Sequence, residues 1–440
     1  MKMSINFYKE TNFKNSEIGN VPKDWEVTSL EEISNEIRTG PFGSQLRKSE
    51  LTQDGAKVYT QENILKKNFS IGNLYISQTK FEKLKSMEVK PGDVLITIRG
   101  STGASAVFPE GAEKGIIHTN LAIIRTKKER LLPEYLYFLV NDFPLIKFQI
   151  EGLSSATTLG ALYAKQIKKI KIPLPLLFEQ EKIVEVLSCV DLAVQKVDEA
   201  IARAERLKKG LMQQLLTKGI GHKDFRKVKI AFKEYSIPVS WQIKNLLETS
   251  VIKGRIGWHG LKAEEYLENG DYYLVRGTEF ENGRVLWEKC VHISQKRYEQ
   301  DPNIQLREGD ILVTKDGSIG KVSFVDKLPK KATLGTGVFV IRPLRNAYLP
   351  IYMFYIMQSE FFERFINVLK AGSTLSHLFQ KDFTKFEFPL PPPSEQQRIA
   401  EMLSIVDNIL RLKKKKKEKL VRMKRRLMDL LLTGKVRVTV

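Results

Sequence analysis

The sequence predicts an α+β protein built from two tandem copies of one domain, separated by two long antiparallel helices that pair as a coiled coil. Three observations carry this expectation. The stretch "IPLPLLFEQEKIVEVLSCVD" at Ile172 returns as "FPLPPPSEQQRIAEMLSIVD" at Phe388, 216 residues on in a chain of 440. Short β-rich runs and helical spacings are mixed inside each copy. After each proline-rich stretch the apolar residues settle to a period near 3.5, which marks a coiled-coil seam.

The repeat runs the length of the chain. "VPKDW" at Val21 returns as "IPVSW" at Ile237, and "LAIIRT" at Leu121 parallels "VFVIRP" at Val338. "LPEYLYFLV" at Leu132 parallels "LPIYMFYIM" at Leu349, and "LMQQLLTKG" at Leu211 matches "LMDLLLTGK" at Leu427. Such a period is too long for a solenoid unit, so each copy is a domain. The expected division is a first domain at 1–178, a helical spacer at 179–218, a second domain at 219–394 and a second spacer at 395–440.

The elements follow in order. Val94–Ile98 and Ile311–Thr314 read as strands entered through Gly-Asp. Leu132–Asn141 and Tyr352–Ile366 carry helical spacing, with a Leu-Pro start suited to a first turn. The Pro-x-Pro step stiffens the exit from each domain. From Glu179 the predicted seam runs through Ile183, Leu187, Val190, Val194, Val197, Ile201 and Ala204, then Leu207, Leu211 and Leu215. In the second copy it runs through Ile399, Leu403, Val406 and Leu410, then Leu420, Met423, Leu427 and Leu430 beyond a lysine-rich gap. Ser394 and Gln397 fit a capping box, and Glu179 and Glu181 suit the positive end of a helix. Two such helices would hold the domains a fixed distance apart.

Composition narrows the partner. The net charge of +21 and pI near 9.6 point to a polyanion, foremost nucleic acid. No apolar leader opens the sequence and nowhere do eighteen apolar residues run together, so the expected compartment is the cytoplasm, with no membrane. Cys189 and Cys290 are too few for a disulfide scaffold. Cys189 aligns with Ile405, which predicts a small apolar core residue.

No catalytic constellation is present in the sequence. There is no phosphate-binding Gly-x4-Gly-Lys-Ser/Thr, and no Asn/Asp-Pro-Pro-aromatic motif of an amino-methyltransferase. The five histidines show no metal-ligand spacing. "GDILVTK" at Gly309 imitates half a nuclease site, but its partner "GDVLITI" has Ile98 where Lys315 stands. These aspartates are expected to shape a turn into the strand.

Loop chemistry instead suits groove reading. "TGPFGSQLRKSE" offers Thr39, Phe42, Gly43, Ser44, Gln45, Arg47 and Lys48; "KGRIGWHGLK" offers Lys253, Arg255, Trp258, His259 and Lys262. "TIRGSTG" and "TKDGSIG" add Arg99, Ser101, Lys315 and Ser318. "GLSSATT" and "AGSTLSH" add Ser154, Ser155, Ser373, Thr374 and His377. The plainer reading is surface turns satisfying their own backbone. The copies agree in framework and diverge at 39–73 and 253–284, as expected if each reads a different short sequence. The lysine run at 413–417 is either a solvated helix face or a strip along phosphates.

The motifs "IPLPLLFEQEKI", "FPLPPPSEQQRI", "GPFGSQL" and the paired "GDVLI"/"GDILV" resemble the specificity subunit of type I restriction–modification systems, over essentially the whole chain. That resemblance implies two target-recognition domains, each reading half of a split duplex DNA site, with the helices fixing the unread spacer. It implies no catalytic activity and no cofactor of its own. S-adenosylmethionine, ATP and Mg would belong to the partners: modification (methyltransferase) subunits, two of them, and ATP-dependent restriction subunits. Apolar helix residues off the seam, Val184, Val186 and Leu192, are the expected docking positions for a modification subunit. The rival reading is a non-catalytic coiled-coil scaffold with two protein-binding modules for an acidic partner.

Overall fold

The structure is a computed structural model and describes residues 6–155, 160–255, 261–371 and 377–439. It divides into two compact units, Met1–Asp198 with Lys415–Val440, and Glu199–Lys414.

In the first unit an antiparallel sheet has the order Ser105–Val107, Val94–Thr97, Leu121–Thr126, Ser34–Thr39. Its strands are short and rich in Val and Ile, and Val94, Leu95, Ile96, Ile123 and Ile124 are buried. Helices Pro133–Asp142 and Pro144–Ser155 contribute to the same core as its inner-facing residues. The second unit repeats this: Val322–Phe324, Ile311–Thr314, Val338–Pro343, Ser250–Gly254 lie in the same order within a six-stranded sheet. Where one helix was expected over Tyr352–Ile366, there are two, Pro350–Met357 and Glu360–Ala371. Ser359 breaks the run by donating its hydroxyl to Ile356 O and accepting the amide of Phe361, a local side-chain bond that competes with helix continuation.

The two Gly-Asp turns do more than shape the chain. Asp93 accepts the Lys90 amide at 2.7 Å and is gripped by Arg125 through Nε and Nη2, both at 2.8 Å. Asp310 accepts the Arg307 amide at 2.8 Å and is gripped by Arg342 at 2.7 Å twice. Both carboxylates are buried and occupied by a bidentate arginine, a strong, geometry-specific pair.

The long helices run Leu177–Lys218 and Pro393–Leu432, each starting earlier than the sequence suggested. Gln397 does not reach back to Ser394; its amide goes forward to Glu401 at 2.8 Å. Inside the first unit, Ile183 and Leu187 share a core with Leu431 and Leu432, while Asp191 meets Lys424 at 2.6 Å and Asp198 meets Lys417 at 2.7 Å. Inside the second, Ala204 packs on Val406 and Leu410, Lys208 meets Asp407 at 2.7 Å and Glu205 meets Lys414 at 3.0 Å. Ascending numbers on one helix meet descending numbers on the other, so the pairing is antiparallel. The seam differs from the expected one at two positions and gains three. Leu207 and Met423 are exposed, and Leu216, Leu431 and Leu432 are buried in addition to Leu215. Cys189 is exposed, and so is Ile405 at 60%, because both point off the seam.

The Glu-Gln pair of the repeated motif explains why each helix begins where it does. Trp25 donates its indole N–H to Glu179 at 3.0 Å, and Trp241 donates to Glu395 at 2.9 Å. Gln180 accepts the Leu132 amide at 2.9 Å and donates to Arg130 O and Pro175 O; Gln396 accepts the Leu349 amide at 2.8 Å and donates to Pro391 O. Each long helix is thereby bonded to the start of the domain's own helix, Pro133–Asp142 or Pro350–Met357. The copies then diverge. Glu395 also accepts from Ile220 N and contacts His222 Nε2 at 2.8 Å. Glu179 instead meets Arg437, on a strand that pairs with Asn6–Lys9. Arg437 uses all five N–H groups: Nε and Nη2 on Glu179 at 2.6 and 2.8 Å, Nη1 and Nη2 on Asp24 at 2.8 and 2.7 Å, and Nη1 on Glu10 at 2.8 Å.

Candidate nucleic-acid interface

Two of the flagged segments in each unit leave the repeated sheet at one end, after Thr39 and Thr97 in the first and after Gly254 and Thr314 in the second. In the first, Thr39 closes its strand opposite Ala122, and Gly40 N donates to Leu121 O at 2.8 Å. A Cβ at Gly40 would lie 2.2 Å from His118 O, so only glycine lets the chain turn there. Phe42 then projects at 62% exposure, with Gly43 and Ser44 beside it. Gln45 uses its carboxamide on the Phe42 amide at 2.9 Å, Arg47 is exposed, and Lys48 opens a short 3-10 turn. Thr39, Phe42 and Gly43 line a small pit together with Arg99 and Tyr163, and the Arg99 guanidinium lies 6.0 Å from the Tyr163 ring centre.

The Arg99 loop is itself braced. The Thr97 hydroxyl donates to Ser101 O at 2.5 Å and accepts the Ala104 amide at 2.9 Å. Ser101 remains exposed. Ser154 and Ser155 do not lie in a loop: they end the helix Pro144–Ser155, and their hydroxyls bond back to Glu151 O and Gly152 O at 3.1 Å.

In the second unit Lys315, Ser318 and His377 are brought together. Leu378 N donates to Lys315 O at 2.7 Å, and His377 Nδ1 bonds Asp316. Lys315 stacks 5.1 Å over the Phe339 ring, and burial pushes its pKa down. Lys253 is exposed on the edge strand of its sheet, and Lys262 is exposed at the start of a 3-10 turn. Arg255 is buried. Its Nε donates to Leu334 O at 2.7 Å and its Nη2 to Thr333 at 3.2 Å, and burial lowers its pKa. Trp258, His259, Ser373 and Thr374 lie outside the described residues.

Along the helices Val184 and Val186 are half-buried against the first unit's core, whereas Leu192 is exposed. Sequence reading missed a stronger stripe in the second copy, Met402, Ile405, Ile409 and Leu412, all exposed at spacings of three and four. That periodicity was available in the sequence, one position off the seam. Of the lysine run, Lys414 and Lys417 pair with Glu205 and Asp198, while Lys415 and Lys416 are exposed. Among the described residues no group of three or more His, Cys, Asp or Glu is placed to hold a metal ion, and no helix is long and apolar enough to cross a membrane.

A duplicated α+β framework that keeps its turns and changes its loops, each copy leading into one long helix, is the architecture of a protein with two target-recognition domains. The family model described as type I restriction modification DNA specificity domain matches twice, at residues 22–203 and 238–422. The chain belongs to that family, the type I restriction–modification specificity subunits. It is 28% identical over its whole length to the type I restriction enzyme MjaVIII specificity subunit of Methanocaldococcus jannaschii, covering 99% of that protein. It is 24% identical to the EcoBI specificity subunit of Escherichia coli over 88% of this chain and 80% of that one. Among solved structures, the S subunit of the type I restriction-modification system of M. genitalium shares the fold, with a TM-score of 0.60 at 15% identity over 93% of this chain and 96% of that one.

Proposed function

We propose that the chain reads a bipartite duplex DNA site, one half per target-recognition domain (1–178 and 219–394), and performs no chemistry itself. The helices at 179–218 and 395–440 set the unread spacer and dock methyltransferase subunits, two per chain, through which restriction subunits join. S-adenosylmethionine, ATP and Mg are held by those partners, and the assembly works in the cytoplasm.

One observation carries this reading: the same mount appears twice and bears different exposed polar loops at the same end. A base-reading surface needs this, because phosphate contacts only fix register while side chains at base edges specify. The excess of positive charge supplies the sequence-blind part of the affinity. Occupied carboxylates at Asp93 and Asp310 speak against a metal-dependent nuclease in either copy.

The test is electrophoretic retention of a bipartite duplex library by the full chain, with and without a co-expressed methyltransferase subunit. Replacing residues 39–48 is expected to change one half of the retained motif and leave the other intact. A change in both halves, or in neither, contradicts one domain per half. Unselective retention favours the acidic-partner scaffold.

A further inference from the structure

The loops following Thr97 and Thr314 are held by matching bonds, which fixes their alignment residue by residue. The Thr314 hydroxyl donates to Ser318 O at 2.5 Å and accepts the Lys321 amide at 2.9 Å, as Thr97 does with Ser101 and Ala104. Gly320 N donates to Thr314 O at 3.0 Å, as Gly103 N does to Thr97 O at 2.9 Å. Ile98 O accepts from Leu162 N and Lys315 O accepts from Leu378 N, so Ile98 and Lys315 are equivalent. The next residue on each mount is therefore Arg99 in the first unit and Asp316 in the second. The backbone is conserved between the copies, and the functional group on it is inverted from donor-only to acceptor-only.

Among the described residues, neither group is fully engaged by its own unit. Arg99 Nε is buried and has no hydrogen-bond partner among the described residues, and the guanidinium lies over Tyr163 in the pit shared with Thr39 and Phe42. Asp316 is exposed, and among the described residues only its Oδ1 is engaged, by His377. His377 packs 4.8 Å from Phe379, which stands where Tyr163 stands in the first copy, each at the start of a short helix. Lys381, also over Phe379, and Lys315, over Phe339, are the neighbouring charges. His377 is thus a positioning residue that fixes the Asp316 carboxylate through Oδ1 and leaves Oδ2 without a hydrogen-bond partner among the described residues.

We propose that Arg99 and Asp316 occupy the same base-reading position of the two domains with opposite hydrogen-bond polarity, so that the first half-site carries a guanine where the second carries a cytosine. Arginine pairs with the O6 and N7 acceptors of guanine in the major groove, and a carboxylate accepts from the N4 amine of cytosine. The inference rests on the reading of one half-site per domain and adds which residue reads which base.

The experiment is selection from a random-sequence duplex library by the full chain, comparing wild type with Asp316→Arg, Asp316→Asn and Arg99→Gln. Asp316→Arg is expected to convert one position of the second half-site from cytosine to guanine, and Asp316→Asn to convert it to adenine. Arg99→Gln is expected to convert one position of the first half-site from guanine to adenine. Each swap should alter discrimination at that position by roughly 5- to 150-fold, and the untouched half-site reports that the chain is folded. Unchanged motifs, or changes at several positions or in both halves, overturn the assignment. Loss of both halves with Asp316→Arg while Asp316→Asn selects the wild-type motif overturns it too. If wild type itself enriches no motif, the DNA reading fails first.

Discussion

Arg437→Ala should open the first unit and leave the second intact. Arg437 is almost fully buried and faces three carboxylates, of which Glu179 is buried, at 7% side-chain exposure, and Asp24 is exposed, at 60%. Among the described residues, removing the guanidinium leaves Glu179 with one side-chain donor, the Trp25 indole. Breaking a buried pair from one side costs about 3–5 kcal/mol, and the exposed Asp24 contact adds no more than about 1 kcal/mol. Hydrogen exchange reads this locally. Amides of Glu26–Ser29 and Lys171–Leu174 should exchange roughly a hundredfold faster or more, since each 1.4 kcal/mol is tenfold. Gln242–Asn245 and Glu387–Leu390, the equivalent pair in the second unit, should be unchanged. Arg437→Lys keeps charge but not the five-donor fork and should fall between. The hydrogen bond from Arg437 holds the Asp24 carboxyl below its ordinary pKa. A depressed carboxylate contributes its stability above the unfolded-state value near 4 and loses it as pH falls through the folded value, so the gap between wild type and variant should narrow in acid. Less than a fivefold effect, equal loss of protection in both units, or a gap that widens in acid would refute the reasoning.

Other predictions follow from the same framework. Gln180→Leu and Gln396→Leu should each destabilise their own unit by about 1–3 kcal/mol for every buried polar group left unpaired, measured by denaturant unfolding. Asp310→Ala should cost about 3–5 kcal/mol by taking the carboxylate from Arg342, which keeps its bonds to Asn303 O and Gln305 O, yet leave the selected DNA motif unchanged, because the carboxylate is a strut. Lys417→Ala should cost less than about 1 kcal/mol in thermal unfolding, since both it and Asp198 are about half exposed to solvent, at 42% and 45% of their side-chain surface. Lys424→Ala should cost more, because Lys424 is mostly buried between Asp142 and Asp191.

The parts of the fold legible in the sequence are those written twice. The repeat located the strands at Val94 and Ile311, the helices at Leu132 and Leu349, and the two long helices. What a window of sequence cannot reveal is a partner far along the chain. Glu179 was read as a first-turn carboxylate, but its partners lie at Trp25 and Arg437. The repeated Trp of "VPKDW" and "IPVSW" was a visible signal of that bond; Arg437, with no counterpart in the first copy, was not. The seam failed where geometry changes near the helix ends: paired leucines at 215–216 and 431–432 both enter domain cores, so a strict 3.5 period misplaced Leu207 and Met423. Cys189 was assigned to the core from its alignment with Ile405, and the inference failed because Ile405 is itself exposed. In the candidate interface, Arg255 was indistinguishable in sequence from a phosphate-binding arginine; only its bonds to Leu334 and Thr333 assign it to the framework. Asp316 went unnoticed because an acid in a basic protein draws no attention as a DNA contact until its loop is aligned with that of Arg99.

We propose two heads that read separate words at a fixed interval. A single-base map of methylated adenines in the host genome, with and without this gene, measures that directly. The predicted result is one motif made of two short defined halves flanking an undefined gap of constant length, lost when the gene is removed. A single uninterrupted motif, or halves separated by gaps of varying length, would contradict it.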